Sequence, residues 1–550
     1  MVIKNENLMH IKRNVVAATL LSDVLKTMLG PCGSQKIVAY KDFFLITGDV
    51  KDIIETVDID HPIVNLVVKD IGHYKEYVGD GTIRAVLLMS RLLERAVNLI
   101  DQGLHPNIIA DGYQFAIQKA KNILTSVAKP AIPSDLNILK QVIKTSIDSK
   151  TCEANFLADL MAAAIKPVIE KKNEEVVDNV KFRKKAVGSL TESELYRGAI
   201  IKAKGARFEM PRNIKNAKVA LFMCPLKTHK TRMDIEIIST PKKLKDITEG
   251  EKKLAASIAD KIEALGVNLV FCYEDIADSI LDHFVNLGIM AYSRTAYSDI
   301  MAISKVTGAK LVYDVFDLSV NDLGMTTQVI EKKEGSDHYV YIDGSENSRF
   351  STIVLKGNKH IINNAEKALS QAIKVVSALS KDERVVAGGG ATFIEIAIQL
   401  QKYSKNIESK EALAVKAFSN ALEDVVSILV ANAGVDPFNI ISELKRRHYN
   451  GDSTVGILLP YVRLEEMFEI GVIEPLHIFE ESLKLASSLA ITLLNIDNVI
   501  HIKTSNAKEI SEKQAEMEFS KRIKQAEEAG EDWIKKLYRL QEVASKCATT

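Results

Sequence analysis

The residues best suited to chemistry lie in a few glycine-rich segments. Leu29-Gly30-Pro31-Cys32-Gly33-Ser34 follows an apolar helical stripe. Glycines let a backbone approach a ligand and expose its N–H groups, which suits a phosphate. The same residues also make an ordinary helix C-cap and turn. The Gly-Lys-Ser/Thr ending of a Walker A loop is missing. Gly79-Asp80-Gly81-Thr82 stands at an expected helix start, where free N–H groups and the helix dipole attract phosphate. A carboxylate there repels phosphate unless a cation sits between, so Asp80 points to a bridging Mg²⁺. The alternative is that Asp80 simply N-caps the helix. Gly388-Gly389-Gly390 falls in a stretch read as helical on both sides. Each glycine inside a helix costs roughly 1 kcal/mol relative to alanine. The triplet therefore marks a hinge, a close ligand approach or an interhelical loop. Asn432-Ala433-Gly434-Val435-Asp436 and Gly456 are further glycine turns of this kind.

For these segments to form one site, the two ends of the chain must fold together. Ile11, Val15, Ala18, Leu21, Leu25 and Met28 recur at three- and four-residue spacing, one apolar face of a helix that stops at Gly30-Pro31. Two short apolar runs, 37–40 and 43–47, read as a β-hairpin. A long helix follows Gly79-Asp80-Gly81-Thr82 through Ala85, Leu88, Leu92, Ala96 and Leu99, and Gly103 and Pro106 close it. The middle of the chain is different. Runs 219–224, 267–273, 289–292 and 310–313 read as strands, with helices at 274–287 and 297–307 between them. That alternation predicts βαβ units with parallel pairing. Further strands are expected at 339–342 and 352–355. From 364 to 498 the pattern is helical again. Beyond about residue 505 the chain is rich in Lys and Glu. Trp533, Leu537 and Leu540 there fit either a docked amphipathic helix or a solvated tail.

Composition sets outer limits. Lysine plus arginine and aspartate plus glutamate each total 72 in 550 residues, so net charge is zero. That argues against a nucleic-acid partner, which needs a basic excess. The length suggests about three or four domains. Five scattered cysteines and no C-x-x-C pair support neither a disulfide framework nor a zinc ribbon, and a reducing, cytoplasmic compartment is the natural reading. No apolar run approaches the ~18–20 residues of a membrane span, and the first ten residues lack a signal-peptide core.

Taken in order, the motifs resemble those of a known family. Leu29-Gly30-Pro31-x-Gly33-x-x-Lys36, Gly79-Asp80-Gly81-Thr82, Gly388-Gly389-Gly390-Ala391 and Asn432-Ala433-Gly434-x-Asp436-Pro437 are followed by Gly471-Val472-Ile473-Glu474-Pro475, then Lys484, Ala486 and Ile496-Asp497. Together they resemble the group II chaperonins, the family of the eukaryotic cytosolic TRiC/CCT complex, over all but the last ~45 residues. Thr145-Ser146-Ile147-x-Ser149-Lys150, Val177-Asp178-Asn179-Val180, Ser351-Thr352-Ile353-Val354-Leu355-x-Gly357 and the 384–392 stretch look most like the theta subunit, in a divergent form.

The resemblance implies a multidomain, mainly α chain with an α/β insertion. An equatorial ATP-binding and ring-contact domain would comprise 1–139 and 387–550. An intermediate hinge domain would comprise 140–207 and 358–386. An apical client-binding domain, 208–357, would carry a helical protrusion near 240–262. It implies a double ring with seven paralogous subunits as partners, unfolded client proteins such as cytoskeletal ones, and ATP with Mg²⁺ as cofactors. Carried over by position, Gly30, Pro31 and Gly33 would hold phosphates. Asp80 would coordinate Mg²⁺ while Gly79, Gly81 and Thr82 donate to phosphate. Asp49 would lie near the terminal phosphate as a catalytic acidic residue. Gly389 and Gly434 would flank base and ribose, and Glu474 would contact the nucleoside.

The departures from that pattern bear on activity. The family places an aspartate that activates the attacking water seventeen residues before the triplet, and Gln371 stands there. An amide cannot accept a proton as a carboxylate does. Lys367, Ser370 and Lys374 offer no replacement, and the nearest carboxylate, Glu366, is more than a helical turn away. Val50 and Lys51 follow Asp49, Ile83 follows the Asp80 loop, and Phe393 stands where a glutamate is frequent. Weak or absent hydrolysis with retained nucleotide binding is expected. Two other readings stay open: a passive ring subunit, and a stand-alone nucleotide-dependent enzyme forming a small oligomer.

Overall fold

The computed structural model describes residues 2–39, 44–54, 56, 61–170, 176–227, 241–344 and 349–496. Tyr40, Phe43, Thr240, Asp497 and the Lys/Glu-rich segment with Trp533, Leu537 and Leu540 lie outside them. Lys12–Asn495 forms one unit of the chain.

The first helix, Val2–Leu25, presents the expected face: Ile11, Val15, Ala18, Leu21 and Leu25 are buried, as is Met28 just beyond it. Burying a side chain of this size contributes about 1.5–3 kcal/mol. The hairpin is present as Lys36–Ala39 paired antiparallel with Phe44–Thr47. Helix Pro62–Val78 starts where His61 accepts a hydrogen bond from the Ile63 N–H and Pro62 needs no partner. Its buried Ile63, Val67, Ile71, Tyr74 and Val78 recur at three or four residues. Helix Thr82–Asp101 runs on from it, and Gly103 takes the positive φ that ends a helix. Pro106 opens the next helix, Pro106–Val127, rather than merely closing the last. Thr82–Asp101 packs against two helices from the far end of the chain, Glu411–Asn432 and Leu476–Leu494. This packing brings the two ends of the sequence together.

The middle of the chain forms a mixed seven-stranded sheet. Its order is Gly198–Lys202, Asp337–Asp343, Gly324–Glu334, Asn213–Phe222, Leu269–Cys272 and Met290–Tyr292, with Leu311–Val312 also on Asn213–Phe222. The expected parallel pairing is present, with Val219 opposite Leu269, Leu269 opposite Met290 and Leu221 opposite Leu311. Helices Asp278–Asn286 and Tyr297–Thr307 make the crossovers. Apolar cores fill both faces of the sheet. Pro241–Ala264 covers the region of the expected protrusion, and its Ala255, Ile258, Ala259 and Ile262 pack into one of those cores.

Between the helical layer and this sheet lies a smaller assembly. Helices Leu136–Ile147, Ala154–Ile169 and Lys359–Asp382 share a core with Val180–Lys185 and Ser351–Lys356. Those two strands pair in parallel.

The segment 364–498 is not wholly helical. Arg384–Ala387 is a strand between Lys129–Pro130 and Ile473–Pro475, and Val455–Leu458 pairs with Arg463–Glu466. Each is two to four residues long, too short to show period-two alternation. The glycine triplet therefore sits at a strand-to-helix turn, between Arg384–Ala387 and helix Ala391–Ser404, rather than between two helices. No helix of the described residues is long and apolar enough to cross a membrane.

Candidate functional site

A cavity of about 310 Å³ opens where the helical layer meets helix Lys359–Asp382. Gly30, Pro31, Asp49, Gly79, Asp80, Gly81, Thr82, Gln371, Gly389 and Glu474 all line it. Gly33 and Gly434 are absent from the lining. Gly33 closes its own turn, its N–H donating to the Gly30 carbonyl. The Gly434 motif acts through Asn432 instead. The Asn432 amide donates to the carbonyls of Lys26 and Leu29, both at 2.9 Å, tying the Gly30 loop to a helix four hundred residues on.

Two helices begin at this cavity without a side-chain cap. Helix Thr82–Asp101 starts after Gly81 (φ 82°) and helix Ala391–Ser404 after Gly390 (φ 79°). Their first N–H groups lack intrahelical partners and carry the positive ends of two dipoles. A Cβ on Gly389 would stand 2.8 Å from the Ile457 carbonyl oxygen, at a φ of 58°. The backbone can pass there only as glycine. Pairing of Val386 with Glu474 fixes Glu474 beside the triplet.

Asp80 is not the N-cap, which is Gly81. Its carboxylate accepts from the Gly81 N–H at 2.9 Å, Ser146 Oγ at 2.9 Å and Lys150 Nζ at 3.0 Å. Burial pushes this carboxyl up, but Lys150 and the hydrogen bonds outweigh it and hold it below the usual range. Three bonds leave about one of the ~4 acceptor sites of an ionised carboxylate open. One carboxylate with waters and phosphate oxygens is a donor set that suits Mg²⁺. No cluster of three or more His, Cys, Asp or Glu is placed to hold a metal among the described residues.

Asp49 is engaged on both oxygens. Its Oδ1 accepts from the Lys51 N–H at 2.7 Å and pairs with the Lys75 ammonium. Its Oδ2 accepts from Gln371 Nε2 at 3.0 Å. Lys75 lies one turn before Gly79, and its carbonyl accepts the Gly79 N–H. Burial, then Lys150, push its ammonium down to about 7, against the field of Asp80. Glu366 points elsewhere, to Lys184 at 2.8 Å. Lys367 is held by Asp52 at 2.6 Å, and Lys374 by the Glu76 carbonyl at 2.7 Å.

Glu474 is also occupied. Arg84 donates to it at 2.5 Å and to Ser482 at 3.0 Å, and lies 4.6 Å from the centroid of the Phe479 ring. Phe393 packs against Phe479 with centroids 4.8 Å apart. Burial lowers the Arg84 pKa, but Glu474 more than offsets this and keeps the guanidinium charged. Sequence reasoning missed Lys75, Ser146, Lys150 and Arg84 as site residues. Ser146 and Lys150 stand one turn apart, and Lys75 and Arg84 stand one turn either side of the Asp80 loop. Nearness to the Asp80 loop marks Lys75 and Arg84, and only the 145–150 segment marks Ser146 and Lys150.

Comparison with known proteins adds the family. The sequence model of the TCP-1/cpn60 chaperonin family matches residues 21–504. A thermosome subunit of Methanopyrus kandleri is 37% identical over 497 residues, covering 89% of this chain and 91% of the relative. A thermosome subunit of Pyrococcus horikoshii is 36% identical, with coverage of 89% and 90%. Thermosome subunit alpha of Archaeoglobus fulgidus is 35% identical over 500 residues, with coverage of 90% and 92%.

Proposed function

Because the chain belongs to the TCP-1/cpn60 chaperonin family, we propose that it is a ring-chaperonin subunit that binds Mg·ATP but hydrolyses it weakly or not at all. The fold is the multidomain chaperonin fold, α with α/β parts. The helical layer would be the equatorial domain (1–139 and 387–550). The smaller assembly would be the intermediate domain (140–207 and 358–386), and the seven-stranded sheet the apical domain (208–357).

The observation that carries the binding reading is convergence. Two uncapped helix starts and one ionised carboxylate face a single cavity. In this reading the free N–H groups of the first turns after Gly81 and Gly390 hold phosphate oxygens, the Ala391 N–H being taken by the Gly388 carbonyl, and Asp80 holds Mg²⁺ while Ser146 and Lys150 fix its carboxylate. Gly30 and Pro31 close over the phosphates. Bound Mg·ATP would supply a phosphoanhydride whose charge the metal partly neutralises.

Hydrolysis needs a carboxylate free to take a proton from water. Gln371 has none; Asp49 keeps about one acceptor site beside those taken by Lys51, Gln371 and Lys75, so the reading rests on Gln371. The same fact favours the passive-subunit reading, in which this chain shapes the ring and its neighbours turn over ATP.

The finer reading is a theta-like subunit of a cytosolic double ring with seven paralogues, enclosing clients such as cytoskeletal proteins. It is supported by the segments at 145–150, 177–180 and 351–357 and by the 384–392 stretch. The relatives' names, each a subunit, support assembly. The four described cysteines are unpaired, which supports a reducing compartment.

Two measurements test the proposal. Size and subunit composition of the native particle separate a ring from a stand-alone enzyme, and a monomer or dimer would refute the ring. Titration of the full chain with ATP and Mg²⁺ tests the cavity. Absence of binding would refute the nucleotide site.

A further inference from the structure

Lys75 is one of the charged groups lining the cavity that the sequence reading left without a role. Its ammonium is 11% exposed and pairs with Asp49, itself 12% exposed. Lys150 is paired with Asp80, Lys367 with Asp52 and Lys374 with a backbone carbonyl, while Lys144, which also lines the cavity, is exposed to water, unlike Lys75. Lys75 differs from Lys150 in that its partner, Asp49, is not the carboxylate assigned to Mg²⁺, so it can leave without loosening Asp80. Asp49 keeps the Lys51 N–H on one oxygen and the Gln371 amide on the other when Lys75 is elsewhere.

An ammonium on a flexible stem can exchange one oxyanion for another. It stands one helical turn behind Gly79, at the start of the loop that the proposed function assigns to phosphate. Burial makes a second negative partner attractive, because charge–charge attraction is stronger out of water.

We propose that Lys75 is the residue that selects nucleoside triphosphate over diphosphate, its ammonium passing from Asp49 to the terminal phosphate of the bound nucleotide. This rests on the nucleotide reading of the cavity. A diphosphate, lacking that phosphate, leaves the Lys75–Asp49 pair in place. No bond is made or broken, and the effect is on affinity alone.

The test is titration of the full-length chain with Mg·ADP and with a non-hydrolysable ATP analogue, comparing wild type, Lys75→Met and Lys75→Arg. The preference of wild type for triphosphate should fall about tenfold in Lys75→Met through weaker triphosphate binding. Diphosphate affinity should stay within about twofold, and Lys75→Arg should retain most of the preference. An unchanged ratio in Lys75→Met overturns the role of Lys75 while leaving the nucleotide site standing. If wild type binds neither nucleotide, the site reading fails and this proposal with it. Should Lys75→Met not fold, Asp49→Asn gives the same answer from the other side. With its competitor neutralised, Lys75 should bind triphosphate a few times tighter and diphosphate unchanged; no change or a loss overturns the proposal.

Discussion

Gln371 donates its side-chain amide to Asp49 at 3.0 Å, across 322 positions of sequence. The pair joins helix Lys359–Asp382 to the loop after the Phe44–Thr47 strand, inside the cavity. If the cavity takes ATP as proposed, the pair puts a hydrogen-bond donor where hydrolysis would need a proton acceptor, and that donor is spent on Asp49.

Gln371→Asp reverses that polarity. The new carboxylate faces Asp49, so one of the two is pushed toward protonation while the other stays ionised. General-base assistance contributes about 10²–10⁴-fold where fully tuned, so a gain of at least about tenfold is expected at this subunit's own site, seen in the assembled ring as a rise of about one site's share of ATP turnover. The assay is phosphate release at saturating Mg·ATP. A fall, or no change, argues against Gln371 as the limiting residue.

Asp80→Asn keeps the size of the side chain and removes its charge. ATP affinity measured with Mg²⁺ should weaken about tenfold or more, and chelation of the metal should erase the difference between variant and wild type. An equal loss with and without Mg²⁺ would mean that Asp80 only shapes the loop.

The triplet and the Gly434 turn should respond differently to alanine. At Gly389 a Cβ meets the Ile457 oxygen at 2.8 Å and Met467 Sδ at 2.6 Å, whereas at Gly434 nothing lies within 4 Å. Both have positive φ, so both pay backbone strain of about 1 kcal/mol. Gly389→Ala adds a steric clash and should cost about 2–4 kcal/mol in all, while Gly434→Ala stays near 1. Thermal melts of the two variants check the order.

The buried Glu395–His448 pair sets a pH dependence. His448 Nε2 donates to the Val455 carbonyl at 2.8 Å, and Nδ1 meets Glu395 at 2.8 Å. Burial pushes the Glu395 carboxyl up, but the bonds from His448 and Gln399 outweigh it and hold it below the usual range. Its folded pKa is therefore lower than its unfolded one. The stabilisation is present above about pH 4.3, the ordinary glutamate value, and is lost as pH falls through the folded pKa. Glu395→Gln should lower stability by about 1.5–3 kcal/mol at pH 7 and flatten the acid limb of the melting profile. Parallel profiles for the two proteins would contradict it.

Much of this architecture is written in local pattern. The stripe from Ile11 to Met28, the 37–47 hairpin and the parallel strands between 219 and 313 follow from periodicity, because each buries one face of a regular element. The short strands Arg384–Ala387 and Ile473–Pro475 do not, since so few residues show no alternation and pairing between distant segments decides their state. In the site, glycines and Asp80 stand out by type. Lys75 and Arg84 do not, because a lysine or arginine on a helix is usually solvated. Only packing of helix Pro62–Val78 against distant segments turns Lys75 inward. Gln371 is legible only by its distance from the triplet, and nothing in that count reveals that its amide reaches Asp49.

The most direct test of the account is the nucleotide held by this subunit inside the intact ring after incubation with ATP and Mg²⁺ under turnover conditions. ATP is expected in this subunit while hydrolysing neighbours hold ADP. ADP in this cavity at the same occupancy as in the neighbours would contradict it.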